Sequence, residues 1–182
     1  IADTQGLLQL ARLAEGEEKI HVHFGASQLS FQVGDTILHT RLLEGPFPDY
    51  EAVIPKANNR IVTVDREAIA QAVRRVSITA DRITSQIRLG IEPGRLELTA
   101  TGSDGSHAED ELPVGYDGEP LEIGYNAGYL LEILRSIPTE QVVFRLKTAL
   151  SAGVIEPVGA LPQADDELLC LIMPLRLPDA SG

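Results

Sequence analysis

Two hydrophobic rhythms alternate along the chain. Three stretches repeat apolar residues at helical spacing: Thr4 to Ala14 (TQGLLQLARLA), Arg66 to Ile78 (REAIAQAVRRVSI) and Ala127 to Ile137 (AGYLLEILRSI). Each follows a residue whose side chain accepts from the free N–H groups of a first turn: Asp3, Asp65 and Asn126. The caps are 62 and 61 residues apart, so the helices recur with a period of about sixty residues. Counted from the caps, Leu7, Ile69 and Leu130 share one offset, Ala11, Val73 and Leu134 a second, and Ala14, Val76 and Ile137 a third. At about 100° per residue these positions form one stripe on each helix. A further shared offset carries Arg12, Arg74 and Arg135, near the opposite side.

After each helix the period shortens to two. IHVHF, LSFQV and TILHTRL follow the first helix, ITSQIRLGI, RLELTAT and HAEDELPV the second, QVVFRL, AGVIEPV and ELLCLIMPL the third. Alternation and β-branched residues predict strands, with Gly-Asp, Pro-Gly and Asp-Gly at turns between them. Strands come in runs rather than alternating with helices, which predicts an α+β fold with helices on one face of curved antiparallel sheets, not a doubly wound parallel sheet. The polar stretch Pro55-Lys56-Ala57-Asn58-Asn59 divides the chain into 1–55 and 56–182. A single helix-plus-strands unit leaves a sheet edge and an apolar stripe uncovered, so 1–55 is expected to be half of a domain whose other half lies upstream of Ile1.

Composition narrows the function. The 182 residues carry a formal net charge of −12, which excludes coating nucleic acid by bulk charge. The acid lies off the helices: segments 3–14, 65–78 and 126–137 together hold five arginines against four acids. One cysteine, Cys170, excludes an internal disulfide framework and fits a reducing compartment. No apolar run approaches the roughly 20 residues of a membrane helix, and no basic, apolar leader precedes the first helix.

Three segments carry a family resemblance: LLEGPFPDYEAVIP (Leu42 to Pro55), IGYNAGYLLEIL (Ile123 to Leu134) and LLCLIMPLRL (Leu168 to Leu177). In this order and spacing they resemble the bacterial replicative sliding clamp, the β subunit of DNA polymerase III. The resemblance runs from the first helix to Leu177. It implies the DNA-clamp fold, with 1–55 as the second half of the clamp's middle domain and 56–182 as its C-terminal domain. It further implies a non-catalytic processivity factor without cofactor or metal. Such a clamp is a head-to-tail homodimer that encircles duplex DNA without sequence specificity. It tethers DNA polymerases, the clamp loader and other clamp-binding-motif proteins in the bacterial cytoplasm, at the nucleoid during replication, and has no membrane partner. An alternative is a stand-alone peptide-binding module without ring function.

The resemblance also assigns residues. A peptide pocket would take Pro48 and Val53 from the FPDY turn, Asn126 and Tyr129 from the third helix, and Leu150 and Ala152 from a late strand. Leu171, Ile172, Met173, Pro174, Leu175 and Arg176 would come from the C-terminal strand. Leu, Ile, Met and Pro suit a cleft for a Leu or Phe anchor. Read without the resemblance, the same apolar run is plain strand core and Asn126 a helix cap. Arg12, Arg74, Arg75 and Arg135 would face DNA phosphates, against the alternative of ordinary solvated helix faces. Ile78 and Thr79 would make a dimer contact, against a hydrophobic closure of the helix end. Two departures stand out. The family pocket also takes a Thr-Asp-Gly-His-like stretch that this chain lacks, and the tail Pro178 to Gly182 extends past many relatives' ends.

Enzymatic patterns are weak. His21 and His23 share a strand face, with His39 on a following strand, which leaves a metal-dependent hydrolase as a third reading. Asp165, Asp166 and Glu167 read as a solvated loop. Ser103-Asp104-Gly105-Ser106-His107 reads as a hairpin turn rather than a triad, and Cys170 as a buried, inert thiol. No phosphate- or dinucleotide-binding glycine pattern occurs.

Overall fold

Asp3, Asp65 and Asn126 start the three helices as their side chains predict, accepting from the backbone N–H three residues on. The computed structural model describes residues 1–161 and 167–177. It divides into two compact units, Ile1–Ala52 and Val53–Gly182. The acidic residues Asp165 and Asp166 and the tail from Pro178 lie outside the described residues.

The first unit contains helix α1 (Thr4–Leu13) and strands β1 (His21–Phe24), β2 (Gln28–Val33) and β3 (Thr36–Arg41), in one antiparallel sheet of order β1-β2-β3. Leu29, Phe31 and Val33 alternate inward from β2. The helix comes close to β3 at Gly6, where a Cβ would sit 2.5 Å from the Thr40 hydroxyl oxygen. No residue of α1 is buried.

The second unit runs β4 (Arg60–Asp65), α2 (Arg66–Ser77), β5 (Gln86–Glu92), β6 (Arg95–Thr101) and β7 (His107–Pro113). It then repeats as β8 (Leu121–Asn126), α3 (Ala127–Ser136), β9 (Gln141–Leu146), β10 (Gly153–Pro157) and β11 (Cys170–Ile172). Its two antiparallel sheets have the orders β7-β6-β5-β8 and β11-β10-β9-β4. Each half therefore lends the strand ahead of its helix to the other half's sheet: β4 pairs with β9, and β8 with β5. The helices pack on each other and on the sheets. Ile69, Val73, Val76, Leu130, Leu134 and Ile137, the predicted stripe residues of the second and third helices, are buried in the core, whereas Leu7, Ala11 and Ala14 of the first are not.

Strands β4 and β8 are absent from the sequence expectation. Each runs into its helix with no turn between, because Asp65 and Asn126 are both the last strand residue and the cap. Their φ and ψ (−64°, 125° and −74°, 120°) serve either role. The predicted strand 83–91 begins only at Gln86, since 81–85 forms a turn. The predicted strand 167–175 shrinks to Cys170–Ile172, after which Leu175 makes a single bridge to Gly124 of the other sheet. The stretch 55–59 lies inside the second unit, where the Asn58 side-chain amide donates to the carbonyls of Arg145 and Ala152, both at 2.9 Å.

Candidate functional site

The C-terminal segment assembles the candidate pocket within the second unit. From β11 it pairs along β10, then crosses to β8, where the Leu175 N–H donates to the Gly124 carbonyl at 2.8 Å. Gly124 lies two residues before Asn126, and β10 follows directly on Leu150 and Ala152. The fold thus draws together three parts of the expected pocket: the start of α3, the loop before β10, and the exit of β11. Asn126 uses both ends of its amide. Its oxygen accepts from the Tyr129 N–H at 3.2 Å, and its nitrogen donates to the Thr84 carbonyl at 2.8 Å. It is a cap and a tie at once.

The side chains differ in exposure. Tyr129, Leu150 and Met173 are exposed, Met173 to 65%. Leu171, Pro174, Leu175 and Ala152 are half-buried, and Arg176 is exposed. Ile172 departs from the expectation. It is 4% exposed and belongs to the hydrophobic core, because successive strand side chains face opposite ways and Leu171 and Met173 take the outward side. Val53 is exposed at the end of a short 3-10 turn (Glu51–Val53). In the first unit, Pro48 is exposed and its carbonyl accepts from the Tyr50 N–H at 2.9 Å, while Phe47 and Tyr50 meet edge to face at 6.3 Å.

The arginines divide in two. Arg74 is exposed on α2 and lies 3.3 Å from Glu67, whereas Arg12 and Arg135 have no ion-pair partner among the described residues. Arg75, also expected to face phosphates, is exposed and ion-paired. Its guanidinium Nε donates to Asp110 of β7 at 2.6 Å, since one further residue turns it toward the sheet. That bond, first among the causes, holds the Asp110 carboxyl below its ordinary range.

Ile78 follows α2 as its C-cap and is 86% exposed, so it closes nothing at the helix end. Thr79 follows, its N–H donating to the Val76 carbonyl at 3.1 Å.

His23, Ser30 and His39 form one row across the first sheet, with His39 Nδ1 2.8 Å from the Ser30 hydroxyl. Among the described residues no three His, Cys, Asp or Glu side chains are placed to hold a metal. Asp104 accepts from the Ser106 N–H and hydroxyl inside the β6–β7 turn, which lowers its pKa. Cys170 is half-buried rather than fully buried, 3.9 Å from the Ser136 hydroxyl. Among the described residues, no helix is long and apolar enough to cross a membrane.

Sequence reasoning missed Thr84, which anchors the Asn126 amide, and Gln86, whose side chain donates to the Arg176 carbonyl at 2.9 Å. Neither carries a local signal, because each acts on a partner 42 or 90 residues away.

Comparison with known proteins gives these features a family. The model of the DNA polymerase III beta subunit, C-terminal domain, matches residues 51–176. The beta sliding clamp of Pseudomonas putida is 34% identical over 178 residues, covering 97% of this chain and 47% of the relative. The crystal structure of the DNA polymerase III subunit beta from Pseudomonas aeruginosa superposes with a TM-score of 0.84 at 33% identity, over 97% of this chain and 48% of that one. A sliding clamp from the same species bound to griselimycin gives a TM-score of 0.82 at 33% identity, over 97% and 47%. This chain spans about half the length of the curated relatives it matches. It belongs to the family of the DNA polymerase III beta subunit, the bacterial sliding clamps.

Proposed function

We propose that this chain works as part of a DNA polymerase processivity factor. In this reading, 1–55 is the second half of the clamp's middle domain and 56–182 its C-terminal domain. The full-length protein would close as a head-to-tail homodimer around duplex DNA in the bacterial cytoplasm, at the nucleoid during replication. It would do no chemistry of its own and would tether polymerases, the clamp loader and other motif-bearing proteins. Tethering raises the effective concentration of a polymerase at its primer end. Contacts to DNA would be loose and confined to phosphates, through Arg12, Arg74 and Arg135 on exposed helix faces. Arg75 would join them only by releasing Asp110. Ile78 and Thr79 would serve the subunit contact.

The observation that supports the reading is the path of the C-terminal segment, which pairs through Ile172 with Gly153 and through Leu175 with Gly124, next to the segments that carry Leu150, Asn126 and Tyr129 and within the region matched by the family model. Three exposed apolar or aromatic side chains there suit a linear peptide with a Leu or Phe anchor, and Met adapts to varied partners. Support also comes from the clamp crystallised with griselimycin. The test is fluorescence anisotropy with a Leu- and Phe-rich peptide. Met173→Ala and Tyr129→Ala should each weaken binding about tenfold. Unchanged affinity in both would remove the pocket.

A further inference from the structure

A second concavity, of about 690 Å³, adjoins the pocket and shares Leu150 and Arg176 with it. Its floor is the outer face of the β5–β8 sheet. Ile87, Leu89, Leu98 and Ile123 face the core there, leaving Arg88, Thr99, Thr101 and Glu122 on the opposite side. Its rim is preformed. Asp81 accepts from the Ile83 and Thr84 N–H groups at 3.0 Å and from the Thr84 hydroxyl at 3.2 Å. Ser85 closes that turn at a φ of 48°. The turn is tied to the pocket at two points, by Asn126 to the Thr84 carbonyl and by Gln86 to the Arg176 carbonyl.

Charge decides what fits. Arg88 and Glu122 pair with each other across neighbouring strands. Asp81 keeps its negative charge on the rim, with one carboxylate oxygen accepting within its own turn. Arg176 is exposed at the shared rim and has no ion-pair partner among the described residues. The floor offers hydroxyls and a neutralised ion pair, which suit the amides of an extended chain better than a second apolar anchor. The volume falls in the range of roughly 300–1,000 Å³ that holds a small ligand or a few residues.

We propose that this groove holds the polar segment flanking the apolar anchor of a docked peptide, extended across the sheet face, with an acidic side chain of that segment on Arg176. The assignment rests on the pocket reading and adds a specificity element to it.

The test compares a core Leu- and Phe-rich peptide with the same peptide lengthened by four residues, one a glutamate, at either end. One of the two extensions should bind about tenfold more tightly than the core at low salt. The gain should vanish when glutamine replaces that glutamate, which requires no protein variant. Thr101→Trp and Thr99→Gln, each checked for folding by thermal melting, should reduce the gain while leaving core-peptide affinity unchanged. Equal binding of the core and both extensions would overturn the groove and leave the pocket standing. An equal loss for core and extended peptides in the groove variants would also overturn it. A core peptide that fails to bind the unaltered chain would sink the pocket, and the groove with it.

Discussion

Gly153 and Tyr125 make a couple whose energetics can be worked from the structure. A methyl group at Gly153 would lie 2.6 Å from the Tyr125 hydroxyl oxygen and 2.9 Å from Leu146 Cδ2. Both neighbours are fully buried, so neither can swing into solvent. Overpacking of this kind costs about 1–3 kcal/mol. Alanine also loses less backbone entropy on folding than glycine, which returns about 0.5–1 kcal/mol in a strand that needs no positive φ. Gly153→Ala should therefore destabilise by about 1–2 kcal/mol. The Tyr125 hydroxyl has no hydrogen-bond partner among the described residues, and burial pushes its pKa up, so the phenol stays neutral. An unsatisfied buried hydroxyl costs about 1–3 kcal/mol. Tyr125→Phe should thus be neutral or stabilising, and it removes the nearer of the two atoms the alanine methyl would meet. In the Tyr125→Phe background the contact with Leu146 remains, and Gly153→Ala should cost about 1 kcal/mol less than in the protein with Tyr125. Urea titration of the four proteins, followed by far-UV circular dichroism, measures the cycle. Equal cost of Gly153→Ala in the two backgrounds would refute the steric account. Strong destabilisation by Tyr125→Phe alone would reveal a partner for the hydroxyl.

The other predictions separate core from surface and charge from packing. Ile172→Ala should lower stability by about 2–5 kcal/mol, while Met173→Ala leaves the melting temperature within about a degree; similar losses would undo the parity assignment. Asp65→Ala removes the acceptor of the Ala68 N–H at 2.7 Å and should cost about 1 kcal/mol by denaturant titration. The lowered pKa of Asp110 means that its bond to Arg75 stabilises at pH values above the ordinary carboxylate range. That contribution is lost as pH falls through the folded-state value; Asp110→Asn should flatten this acid limb of a melting-temperature profile. Because Arg75 is exposed and its pairing is screened, the neutral-pH cost should be only about 0.5 kcal/mol. In a full-length ring, Arg74→Glu with Arg135→Glu should shorten retention on circular DNA at low salt and spare peptide affinity; unchanged retention would remove these residues from the DNA face.

Helices α2 and α3 were legible because two independent signals coincide, a capping side chain and an apolar stripe counted from it. Strands β4 and β8 were not, since one residue ends the strand and begins the helix, with no turn between them. The run LLCLIMPL suggested a long strand, but hydrophobicity does not distinguish pairing from crossing, and after Ile172 the chain leaves one sheet for the other. Within the candidate site, the residue types are readable from the sequence and the directions of their side chains are not. A strand admits only one parity to the core, and that choice put Ile172 inside. Arg75 and Arg74 are neighbours in sequence, yet only the fold brings Asp110 beside one of them. Asn126 was legible as a cap from its own position, while its tie to Thr84 depends on a turn 42 residues earlier.

The exchange of β4 and β8 bears on how the second unit comes apart. Neither half holds a complete sheet, so one cannot open without stripping a strand from the other. The two should behave as one foldon, their central amides exchanging with solvent at a common rate set by global unfolding. A nick in the β7–β8 connection would leave the fragments clasped. A lone half expressed by itself would display an open strand edge and seek a second copy.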